Sequence, residues 1–128
     1  MAKAAQLTLS LKSRPGVLAA LARTLADARV NISALSADTR AGRGKIHFVV
    51  NDPGQAKRAL RRAKYRATTE ETAFVVRMRN KPGALARIAA RLAKAGVNIK
   101  SVYATTAGRS ATVVLTVGSA ARARKILR

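Results

Sequence analysis

The chain has 128 residues, with 26 Lys and Arg against five Asp and Glu, a formal net charge of +21. Apolar residues make up 48% and aromatics 3%, so any core is built from Leu, Ile, Val and Ala. With no Cys and a single His, the composition leaves no disulfide framework, no thiolate metal site and no cofactor-bearing metal cluster. No apolar run is long enough to span a bilayer, and the start lacks the solid apolar block of a signal peptide, so a cytoplasmic protein without membrane contact is expected.

In chain order, QLTLSLK (6–12) alternates with period two and predicts a half-buried strand. Leu18, Leu21, Ala22 and Leu25 fall at helical spacing on one face, and Pro15 suits the first turn of that helix. VNISALSADT (30–39) and KIHFVV (45–50) predict two strands around a turn holding Gly42 and Gly44. Asp52 before Pro53 predicts a capped second helix, and KYRATT (64–69) a fourth strand.

TAFVVRMR (72–79) then restarts the series. Leu85, Ile88, Ala89 and Leu92 repeat the helical stripe, with Pro82 in front and Gly96 behind in the expected left-handed position, where the first helix has Arg29. VNIKSVYATT (97–106), Gly108 and TVVLTV (112–117) follow, and SAARARKILR (119–128) closes on a helix.

The two series share one register with an offset of 67: Pro15/Pro82, Gly16/Gly83, Leu25/Leu92, Asn31/Asn98 and Leu60/Leu127. The predicted class is α+β, as two ferredoxin-like βαββαβ units in tandem, residues 1–70 and 71–128, the second lacking its last strand. That strand lies at a sheet edge in this topology. Its loss calls for a cover and favours a homo-oligomer, a dimer first.

The repeated Pro-Gly after a strand brings the backbone close to any ligand, and a helix N-terminus offers free N–H groups, here those of Gly16, Val17 and Leu18 or Gly83, Ala84 and Leu85, to a carboxylate. Asn31 and Asn98 carry amides that can accept from an ammonium. Together these are the needs of an α-amino acid. Lys12, Arg14, Arg79 and Lys81 flank the loops and raise the local concentration of an anion.

The motifs SRPG…VNI and NKPG…VNI, sixteen positions apart from Pro to Asn, resemble those of the ACT domain. The resemblance covers almost the whole chain, and VNDP (50–53) is similar to tandem stand-alone members. It implies an amino-acid-binding regulatory or sensor protein, acting on a partner enzyme or regulator, with its ligand at an interface between units or chains. It places the contacts on Ser13, Pro15, Gly16, Val17, Asn31 and Ile32, and on Asn80, Pro82, Gly83, Ala84, Asn98 and Ile99. Ser13 stands where many members carry Asn or Asp, which makes the first loop the weaker half.

No catalytic set is expected. His47 alternates with Ile46 and Phe48 and so faces away from the core, and Glu70 and Glu71 point to opposite faces of a strand. The alternative reading is a basic nucleic-acid-binding protein on the same scaffold. Its stacking aromatics are missing as a cluster, because Phe48, Tyr65, Phe74 and Tyr103 are scattered, which leaves non-specific phosphate contact.

Overall fold

Alternation in the first segment yields β1 (Ala2–Lys12), and the apolar stripe behind it yields α1 (Val17–Asp27). The chain continues as β2 (Ile32–Arg40), β3 (Arg43–Val50), α2 (Pro53–Arg62), β4 (Thr69–Arg79), α3 (Ala84–Lys94), β5 (Ile99–Ala107), β6 (Ser110–Val117) and α4 (Ala120–Ile126). This computed structural model describes residues 1–65 and 68–127.

The series βαββα is present twice, from β1 to α2 and from β4 to α4, and β4 also follows α2 as the sixth element of the first series. The separate fourth strand expected over 64–69 is therefore corrected. Lys64 is a turn residue, the strand starts at Thr69, and Arg66 and Ala67 lie outside the described residues. The second copy ends on α4.

Two compact units result, one of Ala5–Glu71 and one of Thr72–Arg128 together with Met1–Ala4. In the first, β3 pairs antiparallel with both β1 and β2; in the second, β6 pairs likewise with β4 and β5. The body whose own stretch of sequence lacks a last strand thus includes the first four residues of the chain.

Each unit buries one sheet face under two helices. Leu7, Leu9, Leu25, Val30, Ile46, Phe48, Val50, Ala56 and Leu60 form the first core. Their partners at +67, Phe74, Val76, Leu92, Val97, Val113, Leu115, Val117, Ala123 and Leu127, form the second. Across one strand pair the large residue has changed sides. Leu7 opposes Phe48 in the first unit, whereas Phe74 opposes Leu115 in the second. All four are fully buried, and the summed side-chain volume is conserved.

Three helices end in Schellman turns. Arg29 and Val30 donate to Ala26 and Leu25, Lys64 and Tyr65 to Arg61 and Leu60, Gly96 and Val97 to Ala93 and Leu92. The residue in the left-handed position is Arg29 (φ 59°), Lys64 (φ 68°) or Gly96 (φ 73°). A Cβ there costs about 1–2 kcal/mol of steric strain, partly offset by the lower entropy of the unfolded chain. Arg29→Gly is accordingly expected to raise unfolding stability by about 0.5–1 kcal/mol, and Gly96→Ala to lower it by about as much. Urea unfolding of the two variants checks both signs.

On the sheet face opposite the helices, His47 accepts at Nδ1 from the Thr8 hydroxyl (2.9 Å) and the Gln6 amide (3.3 Å). Burial, then Lys45, lowers its pKa against smaller opposing effects of Asp38 and Glu71. A folded pKa below the unfolded value near 6.5 means the unfolded chain binds the proton more tightly. Stability is therefore complete above pH 6.5 and declines as pH falls below it. His47→Gln is expected to flatten the stability profile between pH 7 and 5, read by denaturant unfolding at each pH.

Candidate functional site

Arg14-Pro15-Gly16-Val17 forms a type II turn. The Val17 N–H donates to the Arg14 carbonyl (3.3 Å), and Gly16 sits at φ 89°, ψ −9°, where a side chain would be strained. Lys81-Pro82-Gly83-Ala84 repeats it, with Gly83 at φ 87° and the Ala84 N–H on Lys81 at 3.3 Å. This corrects two expectations. Pro15 and Pro82 precede the helix instead of occupying its first turn, because Gly16 and Gly83 are the N-caps. Val17 and Ala84 also use their N–H groups in the turn itself.

The first intrahelical bonds run from Ala20 to Gly16 (2.9 Å) and from Arg87 to Gly83 (3.0 Å). The N–H groups of Leu18 and Ala19, and of Leu85 and Ala86, are thus left without an intrahelical acceptor. No side chain caps either helix start. The positive end of each helix dipole is open to an anion.

In the first unit this helix start borders a groove of about 250 Å³. Leu11, Ala37 and Ile46 line its floor, Val17 and Leu18 the helix side, and Ser13, Arg14, Thr39 and Gly44 the rim. The register explains the assembly: Leu11 and Thr39 both oppose Gly44, and Ala37 opposes Ile46, so these rows share a face. The Ser13 N–H donates to the Gly42 carbonyl at 2.9 Å and fastens the loop to the hairpin. The Ser13 and Thr39 hydroxyls meet at 2.8 Å, leaving one O–H and several lone pairs for a ligand.

The second unit keeps the backbone contact, Asn80 N–H to the Arg109 carbonyl at 2.8 Å, and adds Asn80 Nδ2 to the Gly108 carbonyl at 3.1 Å. Its loop side chain is thereby tied to the hairpin. Ala111 stands at the position of Gly44 and adds a methyl group there.

Asn31 and Asn98 are placed elsewhere. Each is exposed and precedes its edge strand, past the C-terminus of an eleven-residue helix. At 1.5 Å per residue, each is about 16 Å from the loop of its own unit. The Asn31 N–H is held by Asn51 Oδ1 at 3.0 Å, and the Asn98 carbonyl accepts from Gly118 at 2.8 Å. Ile32 and Ile99 follow them at matching register shifts in β2 and β5. Within one unit, then, Ser13 and Val17 line the groove beside the Pro15-Gly16 turn, and Asn31 and Ile32 do not join them.

The ACT domain family matches residues 5–67 and again 72–128. The chain belongs to the ACT domain family. Its fold is similar to that of a protein from Bacteroides thetaiotaomicron at 29% identity and TM-score 0.90, covering 98% of this chain and 86% of that one. The regulatory subunit of aspartate kinase from Thermus thermophilus, in ligand-free form, is similar at 20% identity and TM-score 0.74, with 99% and 91% covered. That from Thermus flavus follows at 16% identity and TM-score 0.69, with 98% and 90% covered. No curated protein matches the sequence.

The ACT pair holds residues that the one-dimensional pattern did not single out as ligand contacts. Leu11, Ala37, Thr39, Gly44 and Ile46 enter the groove only through strand pairing. The one available signal was the repeat comparison, Gly44 against Ala111. Among the described residues no helix is long and apolar enough to cross a membrane, and no group of His, Asp and Glu could hold a metal.

Proposed function

We propose that this tandem ACT protein is a non-catalytic, cofactor-free sensor that binds a small amino acid in the first-unit groove and acts through a partner enzyme or regulator. The observation that carries the reading is the uncapped start of α1 opening beside a hydroxyl pair and an aliphatic floor. The Leu18 and Ala19 amides and the α1 dipole take the carboxylate. Ser13 and Thr39 accept from the ammonium, and Leu11, Ala37 and Ile46 receive the side chain. A groove of 250 Å³ is below the usual size of a drug-sized pocket, about 300–1,000 Å³, and suits one small metabolite.

Fold similarity to regulatory subunits of aspartate kinase supports a role in control of another protein. Asn80, Pro82, Gly83 and Ala84 form the corresponding, tied loop. Asn31, Ile32, Asn98 and Ile99 serve in this reading as contacts to a ligand held against a second chain, in a dimer. Supporting that assembly, Leu18 and Leu35 of the first unit and their equivalents Leu85 and Val102 are all large apolar residues left exposed. Thermal-shift screening of the twenty amino acids, with light scattering for oligomeric state, tests the proposal. At least one amino acid is expected to stabilise the protein. No stabiliser among the twenty would remove it.

A further inference from the structure

The two units carry equal numbers of basic residues, thirteen Lys and Arg each, but all five acidic residues lie in Ala5–Glu71. The unit of Met1–Ala4 and Thr72–Arg128 contains no Asp or Glu. In the first unit the acids are in use: Asp27 pairs with Arg23 at 3.9 Å, Glu70 with Lys57, and Asp52 caps α2. In the second, the unit has no carboxylate side chain of its own to quench its cations, so like charges repel across a surface of three strands, β4, β5 and β6, and two helices.

The helix layer concentrates them. Arg87, Arg91 and Lys94 fall at i, i+4 and i+7 on α3, a stripe of about 10 Å. α4 adds Arg122, Arg124 and Lys125, and all six side chains are exposed. Arg91 donates through Nη2 to the Ile126 carbonyl and ties the end of α4 to α3. The Arg122 guanidinium lies by the Gly96 turn that ends α3. Two short helices therefore hold one basic surface in a fixed arrangement.

We propose that this α3–α4 surface docks the phosphate backbone of a nucleic-acid duplex, independently of base sequence. Charge complementarity selects a polyanion, since phosphate contacts need cationic donors and little else. A protein partner would need aromatic or large apolar anchors at the centre of its interface. Here the cations are interleaved with Ala86, Ala90, Ala93 and Ala121. Base reading is not served either: Phe74 is fully buried and Tyr103, opposite Val114, is half-buried on the sheet face away from the helices, so the α3–α4 surface carries no aromatic platform for unstacked bases. The binding is an addition to amino-acid sensing and does not depend on it.

The test is fluorescence anisotropy of a labelled 20-base-pair DNA duplex titrated at several salt concentrations. Wild type is expected to bind with a steep linear fall of log K with log salt. Arg87→Gln/Lys94→Gln/Lys125→Gln is expected to make that slope shallower by up to about 2.7, about 0.9 per lost phosphate contact, equally on unrelated duplexes. Circular dichroism melting confirms that the variant is folded. Arg58→Gln/Arg61→Gln/Lys64→Gln removes the same charge from the first unit and is expected to leave the slope nearly unchanged. Equal effects of the two triples would reduce the surface to diffuse net charge and overturn the proposal. So would absence of duplex binding at 50 mM salt, or equally effective competition by poly-glutamate, which would point to an acidic protein.

Discussion

Phe48→Ala is expected to cost about 3–5 kcal/mol of stability, the largest effect of any single substitution considered for this chain. Phe48 is fully buried at the middle of β3, opposite Leu7 and within the first core. The second unit shows what a tolerated rearrangement looks like, because Phe74 and Leu115 carry the same two side chains with the strands exchanged. Phe48→Leu alone leaves unfilled volume and is expected to cost about 1–2 kcal/mol. Leu7→Phe alone overpacks and is expected to cost about 1–3 kcal/mol. The double variant Leu7→Phe/Phe48→Leu reproduces the arrangement of the second unit and should lie within about 1.5 kcal/mol of wild type. Urea unfolding of the four proteins closes the cycle, with an expected favourable coupling of at least about 0.5 kcal/mol. Strict additivity would show that the two positions do not share one packed volume.

That exchange also explains how much of the architecture was legible in one dimension. The 67-residue offset carries nine core pairs, so one unit predicts the other even where Leu and Phe trade places. Helix stripes and the Asp52 cap needed only local spacing, and α2 begins at Pro53 as expected, with Asp52 Oδ1 accepting from Gln55 at 3.0 Å. Boundaries without local signal were less readable. The segment AKAA at the start of β1 has neither alternation nor β-branched residues, so the strand was expected from Gln6 and begins at Ala2.

Pro-Gly was ambiguous for a different reason. Pro fits both the first turn of a helix and the second position of a type II turn, and Gly decides between them. A positive φ at Gly16 and Gly83 excludes the helical interior and makes each glycine the cap. The groove was illegible because its walls come from segments about 25–35 residues apart. Ser13, Thr39 and Gly44 meet through antiparallel pairing and one bond to Gly42. No period in the sequence reports that meeting.

Gly44 provides the most informative variant of the groove, because its two effects have opposite signs. A Cβ built there meets the Asp38 carbonyl oxygen at 3.7 Å, the Leu11 carbonyl oxygen at 3.8 Å and Ser13 Cβ at 4.0 Å, all ordinary van der Waals contacts. Its backbone is not in the left-handed region, and Ala111 occupies the equivalent place in the second unit. Gly44→Ala is therefore expected to stabilise the ligand-free protein by about 0.5–1 kcal/mol, since Gly in a strand loses the most backbone freedom on folding. The same methyl group stands at the rim of the groove, between the hydroxyl pair and the aliphatic floor. An amino acid at a hundredfold excess over its dissociation constant stabilises wild type by about 2.7 kcal/mol. Tenfold to hundredfold weaker binding, the scale of one misplaced methyl group, leaves about 1.4 to 0.4 kcal/mol in the variant. Melting with and without the stabilising amino acid measures both quantities on one sample. An undiminished ligand shift in a folded Gly44→Ala protein would place the amino acid outside this groove. A ligand shift that collapses while the ligand-free protein melts higher is the outcome that a general loss of folding cannot produce.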